Sequence, residues 1–501
     1  MSAFIFILKA LRAIAVIWVI LYLYLKYAHT YWKRRGVPSL PGHWFFGNAK
    51  DALLMRKSPA TVFGDLYHQA SEDDDILGIY IAHKPFLVLR NPKLIKQILI
   101  KDFNYFSDRY FTARSIHDKI GSSALFTMKN PEWKYLRAKL TPVFTSGKVK
   151  NLFPLIVQTA DSMKNYLENQ FTNGTRTNTL PVREISLKYT TDIISSVAFG
   201  IQVNSFDPSQ SKFFSKVQES LRLTVRRGLI FFCMFFFPAI SMILGGQMLG
   251  SATNYFRKIF WDSMDTREVT KSKRGDLIDS LIDLKNAKQD NDFKFEGDAL
   301  VAQAGIFFVA GRESSSTTIS FTLSELAKHP DIQKRVRENI LETLEAQGMT
   351  YEAVQSMKYL HQVMSEVLRL YPPAPLIDRV AVEDYKIPGT DTIIEKGTPI
   401  YIPLIGLQRD ARYHPDPLTF NPDRFSDENK DNITPCSYMP FGDGPRICIA
   451  QRVGLLQSVV AVITILKDYE VSLDPTGDYE IDRRNIFLSP SDRFKLKFTK
   501  L

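Results

Sequence analysis

The stretch from residue 296 to 328, EGDALVAQAGIFFVAGRESSSTTISFTLSELAK, contains no proline. Proline is what most reliably ends a helix. The segment can therefore form one rod of roughly 50 Å, at about 1.5 Å per residue, long enough to cross a whole domain. Its middle, AGRESSSTT, is unusual. Gly311 weakens a helix. Ser314 can turn its hydroxyl onto the carbonyl of Ala310, four residues earlier, and bend the axis. Glu313 sets a carboxylate beside that bend. Taken by itself the bland reading, a solvated glutamate among ordinary helix serines, is the weightier one.

A second stretch, PFGDGPRICIA at 440–450, sets one cysteine in a glycine-rich loop with an arginine two residues before it. A lone cysteine is usually a small buried hydrophobe. The chain has only Cys233, Cys436 and Cys448 and no Cys-x-x-Cys pair. That excludes a disulfide framework, places the main domain in a reducing compartment and removes most structural zinc sites. A single axial thiolate on haem iron is one of the few tasks left for such a cysteine. Gly442 and Gly444 allow tight left-handed turns, which can aim backbone N–H groups at the sulfur. Arg446 is placed to reach a haem propionate. The run IAQRVGLLQSVVAVITILKDY starts a helix just after Cys448, with its positive end toward the thiolate.

Other pairings are more ambiguous. In LHQVMSEVLRLYPPAP, a helix stopped at Pro372 and Pro373, Glu366 and Arg369 share a face. On a surface such a pair is worth little; buried, it needs further partners, and Arg424 of FNPDRF offers one. Trp133 and Arg137, four apart in PEWKYLRAKLTPVF, could together hold a carboxylate. They could equally be a core tryptophan beneath a surface arginine.

The N-terminus, MSAFIFILKALRAIAVIWVILYLYLKYAHTYW, is apolar but broken by Lys9, Arg12 and Lys26, leaving 13 uncharged residues from Ala13 to Leu25. A span needs about 20 apolar residues, yet lysines near a helix end snorkel, and Trp18, Tyr22, Tyr24, Tyr27, Tyr31 and Trp32 suit an interface. No small-residue cleavage site follows. The expectation is an uncleaved membrane anchor over 1–32. A basic, Pro/Gly-rich hinge follows over 33–47, and a catalytic domain over 48–501. Lys33 to Arg35 favour a cytoplasmic C-terminal side. Residues 228–256 carry no charge. They read as a segment dipping into the bilayer or as a buried helix pair; the first is preferred, because an exposed Phe cluster needs a partner. The net charge of +11 and the 35 phenylalanines fit an acidic partner or membrane and a large apolar pocket. No nucleic-acid-binding pattern is present.

Four patterns, WKYLR, AGRES, EVLR and FGDGPRICIA, occur in order with FNPDRF between the last two. Together they resemble the cytochrome P-450 family of haem-thiolate monooxygenases over essentially the whole chain. The wording is most similar to the insect microsomal family 6, and less closely to the mammalian family 3. The resemblance implies a mainly α fold with a small β-rich subdomain, and haem b (iron protoporphyrin IX) between the long central helix and the Cys-bearing loop and helix. It implies Cys448 as axial ligand; Trp133, Arg137, Arg379, Arg446 and Phe441 at the haem; Ala310 and Gly311 in the oxygen-binding groove; and Ser314 with Glu313 in proton delivery. Glu366, Arg369 and Arg424 match a buried structural ion network. Two departures stand out: Ala450 where the family usually has Gly, and Ser314 where it usually has Thr.

No flavin or nicotinamide fingerprint is found, so the resemblance implies electrons from NADPH-cytochrome P-450 reductase, with cytochrome b5 a further candidate. Lys134, Lys139 and Arg452 are candidates for the docking face. The expected reaction is NADPH- and O2-dependent hydroxylation or epoxidation of apolar small molecules, plant toxins and insecticides above all, at the endoplasmic reticulum membrane with the domain in the cytosol. A hormone or lipid hydroxylase and a haem-thiolate isomerase or dehydratase are the alternatives; retention of Glu313 and Ser314 argues against the latter. Phe111, Ile306 and Phe307 are expected to line the pocket. The sequons at Asn173 and Asn432 are expected to stay unmodified.

Overall fold

In the computed structural model the proline-free stretch is one helix, Asp298–Lys328. The structure describes residues 2–113, 118–171, 174–244, 247–287, 294–477 and 479–501; Asn173, Gly245 and Gly246 lie outside them. The elements that position the site are α1 (Ser2–Ala28), α2 (Glu132–Leu140), α3 (Val182–Phe199), α4 (Val225–Phe236), α5 (Pro238–Leu244), α6 (Asp298–Lys328), α7 (Lys358–Leu370) and α8 (Gln451–Asp468). The strands are β1 (Ile76–Ile81), β2 (Lys84–Leu89), β3 (Thr177–Leu180), β4 (Leu376–Val380), β5 (Pro399–Pro403), β6 (Tyr469–Leu473) and β7 (Leu496–Lys500). Helix dominates, and the strands form small sheets, as expected.

Helix α6 is buried nearly all round along its second half, the mark of a helix that runs through the core rather than over it. Gly311 does not break it. A Cβ there would stand 2.7 Å from Cδ1 of Ile194, so the glycine serves the close approach of α3. One sheet runs β1-β2-β5-β4, with β2 and β5 parallel and the other pairs antiparallel. Its register sets Arg379 opposite Ile400. The second sheet runs β3-β7-β6, with both pairs antiparallel.

Among the described residues one helix, α1, is long and apolar enough to cross a membrane. The end of the segment read as anchor is packed into the domain. Trp32, read from sequence as an interface residue, is buried in the domain and donates its Nε1–H to the Ile79 carbonyl at 3.2 Å.

The Phe-rich run divides between the two readings given above. Phe232, Met234, Phe235 and Phe236 are buried, with Phe236 stacked 5.3 Å from Phe63 and 5.5 Å from Tyr401. The exposed apolar residues there are instead Val225, Leu229, Ile240 and Ile243. The segment is two-sided: α4 folds its phenylalanines inward, each such burial worth about 1.5–3 kcal/mol, and leaves a thinner apolar face outward.

Candidate functional site

Around Cys448 the backbone is set by two glycines at positive φ, Gly442 at 75° and Gly444 at 72°. Gly444 is required twice over, since a Cβ there would meet the Leu99 carbonyl oxygen at 2.2 Å. The Asp443 carboxylate accepts from the Gly444 N–H at 2.7 Å, and the Cys448 N–H donates to the Phe441 carbonyl at 2.9 Å. Phe441 thus enters through its backbone, with its side chain half-buried. The Ala450 N–H donates to the sulfur. Burial pushes the Cys448 thiol up, while that N–H, Arg137 and Arg109 oppose the rise. Helix α8 begins at Gln451.

Cys448 is solvent-accessible, yet Arg446 beside it is buried and the thiol feels a strong desolvation. Ala310 and Ser314 are likewise accessible in the middle of α6, although Phe308 and Arg312 on either side are buried. Residues 310 and 314 are one turn apart and share a face. Accessible positions set inside a buried frame line an internal space. Its two walls meet where Gln457 of α8 donates to the Ser315 hydroxyl at 2.6 Å.

One edge of that space is crowded with cations. Arg446 lies over the Trp133 ring, 4.1 Å from its centroid. It donates to the carbonyls of Ser107 at 2.6 Å and Met128 at 3.0 Å. Arg137 donates to the Ile447 carbonyl at 2.7 Å. Arg379, on β4, uses Nη1 on the carbonyl of its own neighbour Asp378 at 2.8 Å, and its buried Nε has no partner among the described residues. Sequence reasoning missed a fourth arginine, Arg109, which donates to the buried Asp378 carboxylate at 2.7 Å. The acids among them are Asp378 and Asp108, the latter 3.8 Å from Arg446. Burial first, then the like charge of Arg109, pushes Arg379 down to about 9 and Arg446 down to about 8. Among the described residues, four arginines face two carboxylates, and one of the arginines keeps an unpaired buried donor, an excess that suits an anion.

The oxygen-side residues are held differently. The Ser314 hydroxyl donates to the Ala310 carbonyl at 2.7 Å, as its place in the helix implied. The Glu313 carboxylate does not face it. It pairs with Arg312 and lies 3.6 Å from Arg183. Arg312, almost fully buried, also donates to Thr191 Oγ1 at 2.9 Å and to Gln218. Behind the site Arg369 grips Glu366 through two bonds of 2.7 Å, both side chains buried, with the Arg424 Nε 3.4 Å from the same carboxylate. Of the expected pocket residues, Phe111 packs 4.3 Å from Phe235 and Ile306 is half-buried. Phe307 is turned elsewhere, stacked on Phe144 at 4.8 Å; its position on α6 points it into the core.

The cytochrome P-450 family model matches residues 37–498. This chain belongs to the cytochrome P-450 family. It is 40% identical to cytochrome P-450 6k1 of Blattella germanica, over 98% of this chain and 97% of that one. It is 38% identical to probable cytochrome P-450 6g2 of Drosophila melanogaster, over 90% and 91%, and 35% identical to cytochrome P-450 9e2 of Blattella germanica, over 91% and 90%. The protein is therefore a monooxygenase with the family's cofactor, haem b held by a cysteine thiolate. The residues present fit that group. The uncompensated arginines and the orphaned Arg379 Nε suit the two propionates of a flat dianion. The accessible Cys448 and the accessible Ala310–Ser314 face suit its two sides.

Proposed function

We propose that this P-450 hydroxylates or epoxidises apolar small molecules, xenobiotics such as plant toxins and insecticides above all, with electrons from NADPH-cytochrome P-450 reductase. The observation that carries the reading is the aromatic cluster of Phe111 with Phe235 and, at 5.3 Å, Phe126, which we read as one wall of the substrate pocket. Such a wall binds flat or greasy molecules by area and shape rather than by directed polar contacts. The similarity to family 6 relatives supports it.

In this reading Cys448 would hold the haem iron through its thiolate, which the Ala450 N–H and nearby arginines stabilise. Trp133, Arg137, Arg379 and Arg446, together with Arg109, bind the propionates. When bound, the haem supplies the activation of molecular oxygen. Ala310 and Gly311 leave the oxygen side open. Ser314 delivers a proton there after its hydroxyl releases the Ala310 carbonyl, and Glu313 reloads it after leaving Arg312 and Arg183.

The α1 helix serves as anchor in the endoplasmic reticulum membrane. The basic run Lys33 to Arg35 keeps the domain in the cytosol, and the outward face of α4 and α5 adds membrane contact. Lys134, Lys139 and Arg452 are all exposed, and in this reading they offer positive charge to an acidic reductase. Reversing both lysines to glutamate should raise the KM for reductase, an effect that fades in high salt.

The decisive experiment is twofold. A reduced carbon monoxide difference spectrum must show the long-wavelength Soret band of a thiolate-ligated haem. NADPH-driven turnover must then be measured in reductase-containing microsomes against plant compounds, insecticides, hormones and fatty acids. Absence of the band sinks the haem assignment; turnover restricted to hormones or fatty acids sinks the xenobiotic one.

A further inference from the structure

The hairpin His43–Gly47 closes on itself through reciprocal backbone bonds of 2.9 and 2.8 Å. Its tip carries Trp44 and Phe45, side by side and 39% and 37% exposed. Trp44 is not simply turned to solvent. Its ring lies 6.4 Å from Trp18 and 5.7 Å from Tyr22, both on α1. The hairpin therefore stands beside the helix ten to six residues before the helix ends at Ala28. Both parts are fastened to the turn after β1. The His29 ring bonds the Ala82 carbonyl at 2.7 Å, Gly47 bridges Ile81, and the Asn48 N–H donates to the Tyr80 carbonyl at 2.6 Å.

This arrangement limits where the membrane can lie. The helix before Trp18, Ser2 to Ile17, has 16 residues, or about 24 Å at ~1.5 Å each. A hydrocarbon core is about 30 Å thick, and this short piece already holds Lys9 and Arg12. A span must take in the stretch from Trp18 to Tyr22 as well. A helix lying flat on the membrane would bring the same residues to the surface layer. In both cases Trp18 and Tyr22 meet lipid, and the ring packed against them shares their depth. Lys26 over Tyr22 at 5.5 Å and Arg34 over Tyr27 at 4.1 Å mark the headgroup side of that level.

We propose that the Trp44–Phe45 hairpin tip is seated in the interfacial layer of a phospholipid bilayer, as a further membrane contact beside the anchor that fixes the angle between anchor and domain. Aromatic rings with one polar edge favour that layer. The proposal rests on α1 entering the membrane and adds that the hairpin goes with it.

The test uses the full-length holoenzyme in phosphatidylcholine vesicles whose acyl chains are brominated at a shallow or a deep position. Tryptophan quenching is compared for the wild type, Trp18→Phe and Trp44→Phe. Trp44→Phe should lose a component quenched most by the shallow bromine. Adding Phe45→Trp to that variant should restore it, which guards against a folding artefact. If Trp44→Phe keeps the wild-type bromine response, and the emission it lacks is the part that aqueous iodide quenches, the hairpin is in water and the proposal is overturned. If Trp18→Phe loses no bromine-quenched component either, the anchor reading fails first and takes the proposal with it.

Discussion

The two walls of the haem space are built on opposite plans. On the cysteine side nearly every group is fixed by something that cannot move. Gly444 presses on the Leu99 carbonyl, the Cys448 N–H is tied to Phe441, and Arg446 is bonded to two carbonyls over Trp133. On the α6 side the reactive groups are satisfied by partners they can exchange. Ser314 bonds its own helix, and Glu313 is held by Arg312 and Arg183 while still about one-third exposed. The first plan holds a ligand whose geometry must not vary; the second suits groups that have to pass a proton.

The comparison breaks most completely at Cys448. Cys448→Ser keeps the loop and removes the soft thiolate, so the long-wavelength carbon monoxide band should vanish while circular dichroism stays near wild type. Retention of that band would mean that another ligand serves. On the other wall, Ser314→Ala should leave the band intact. It should cut product per NADPH consumed by about 100-fold, within the range for losing one proton donor, with peroxide rising in its place. Ser314→Thr should keep product formation, since the hydroxyl stays and its χ1 stiffens. Peroxide and product measured together separate a coupling defect from a loss of haem.

How much was legible follows the same divide. The cysteine loop could be read because its constraints are local: glycines at two positive φ values, an acid beside a turn and a helix start lie within a dozen residues. The long helix could be read from its missing proline, and the serine bond from its spacing. What could not be read depends on residues distant in the chain. Arg109 joins Arg379 and Arg446 only after β4 is placed beside it. Glu313 looked like the neighbour of a bend because Arg183, on α3, is 130 residues earlier. The Phe run looked exposed because Phe63 and Tyr401, which cover it, come from a helix and a strand far away.

Matched glycine substitutions sharpen the contrast. At Gly444 a methyl group meets a backbone carbonyl at 2.2 Å and must also adopt a φ of 72°. Gly444→Ala should cost about 2–3 kcal/mol and lower haem occupancy. At Gly311 the methyl group meets no backbone, only the Ile194 side chain, with Cδ1 at 2.7 Å and Cγ1 at 3.0 Å. That side chain can rotate, and alanine is the better helix former, so Gly311→Ala should change stability by less than about 1 kcal/mol. Chemical denaturation of the two variants side by side measures the difference. Equal costs would show that the α6 wall is as rigid as the loop.

The smallest expected effect lies behind the mobile wall. Asp192 of α3 is buried, accepting from the Ser205 N–H at 2.8 Å and bonded to its hydroxyl. Burial pushes it up to about 7, against the pull of those bonds and of Lys188. A carboxyl raised in the folded state holds a proton that the unfolded chain gives up from about pH 4. Its contribution therefore destabilises progressively as pH rises from about 4 to about 7, and fully above that. Asp192→Asn should leave stability unchanged near pH 4, raise it by about 1 kcal/mol at pH 8, and flatten the slope between. A variant less stable than wild type at pH 8 would show that the charged form is welcome there, and that α3 supports α6 by polar attachment rather than by packing alone.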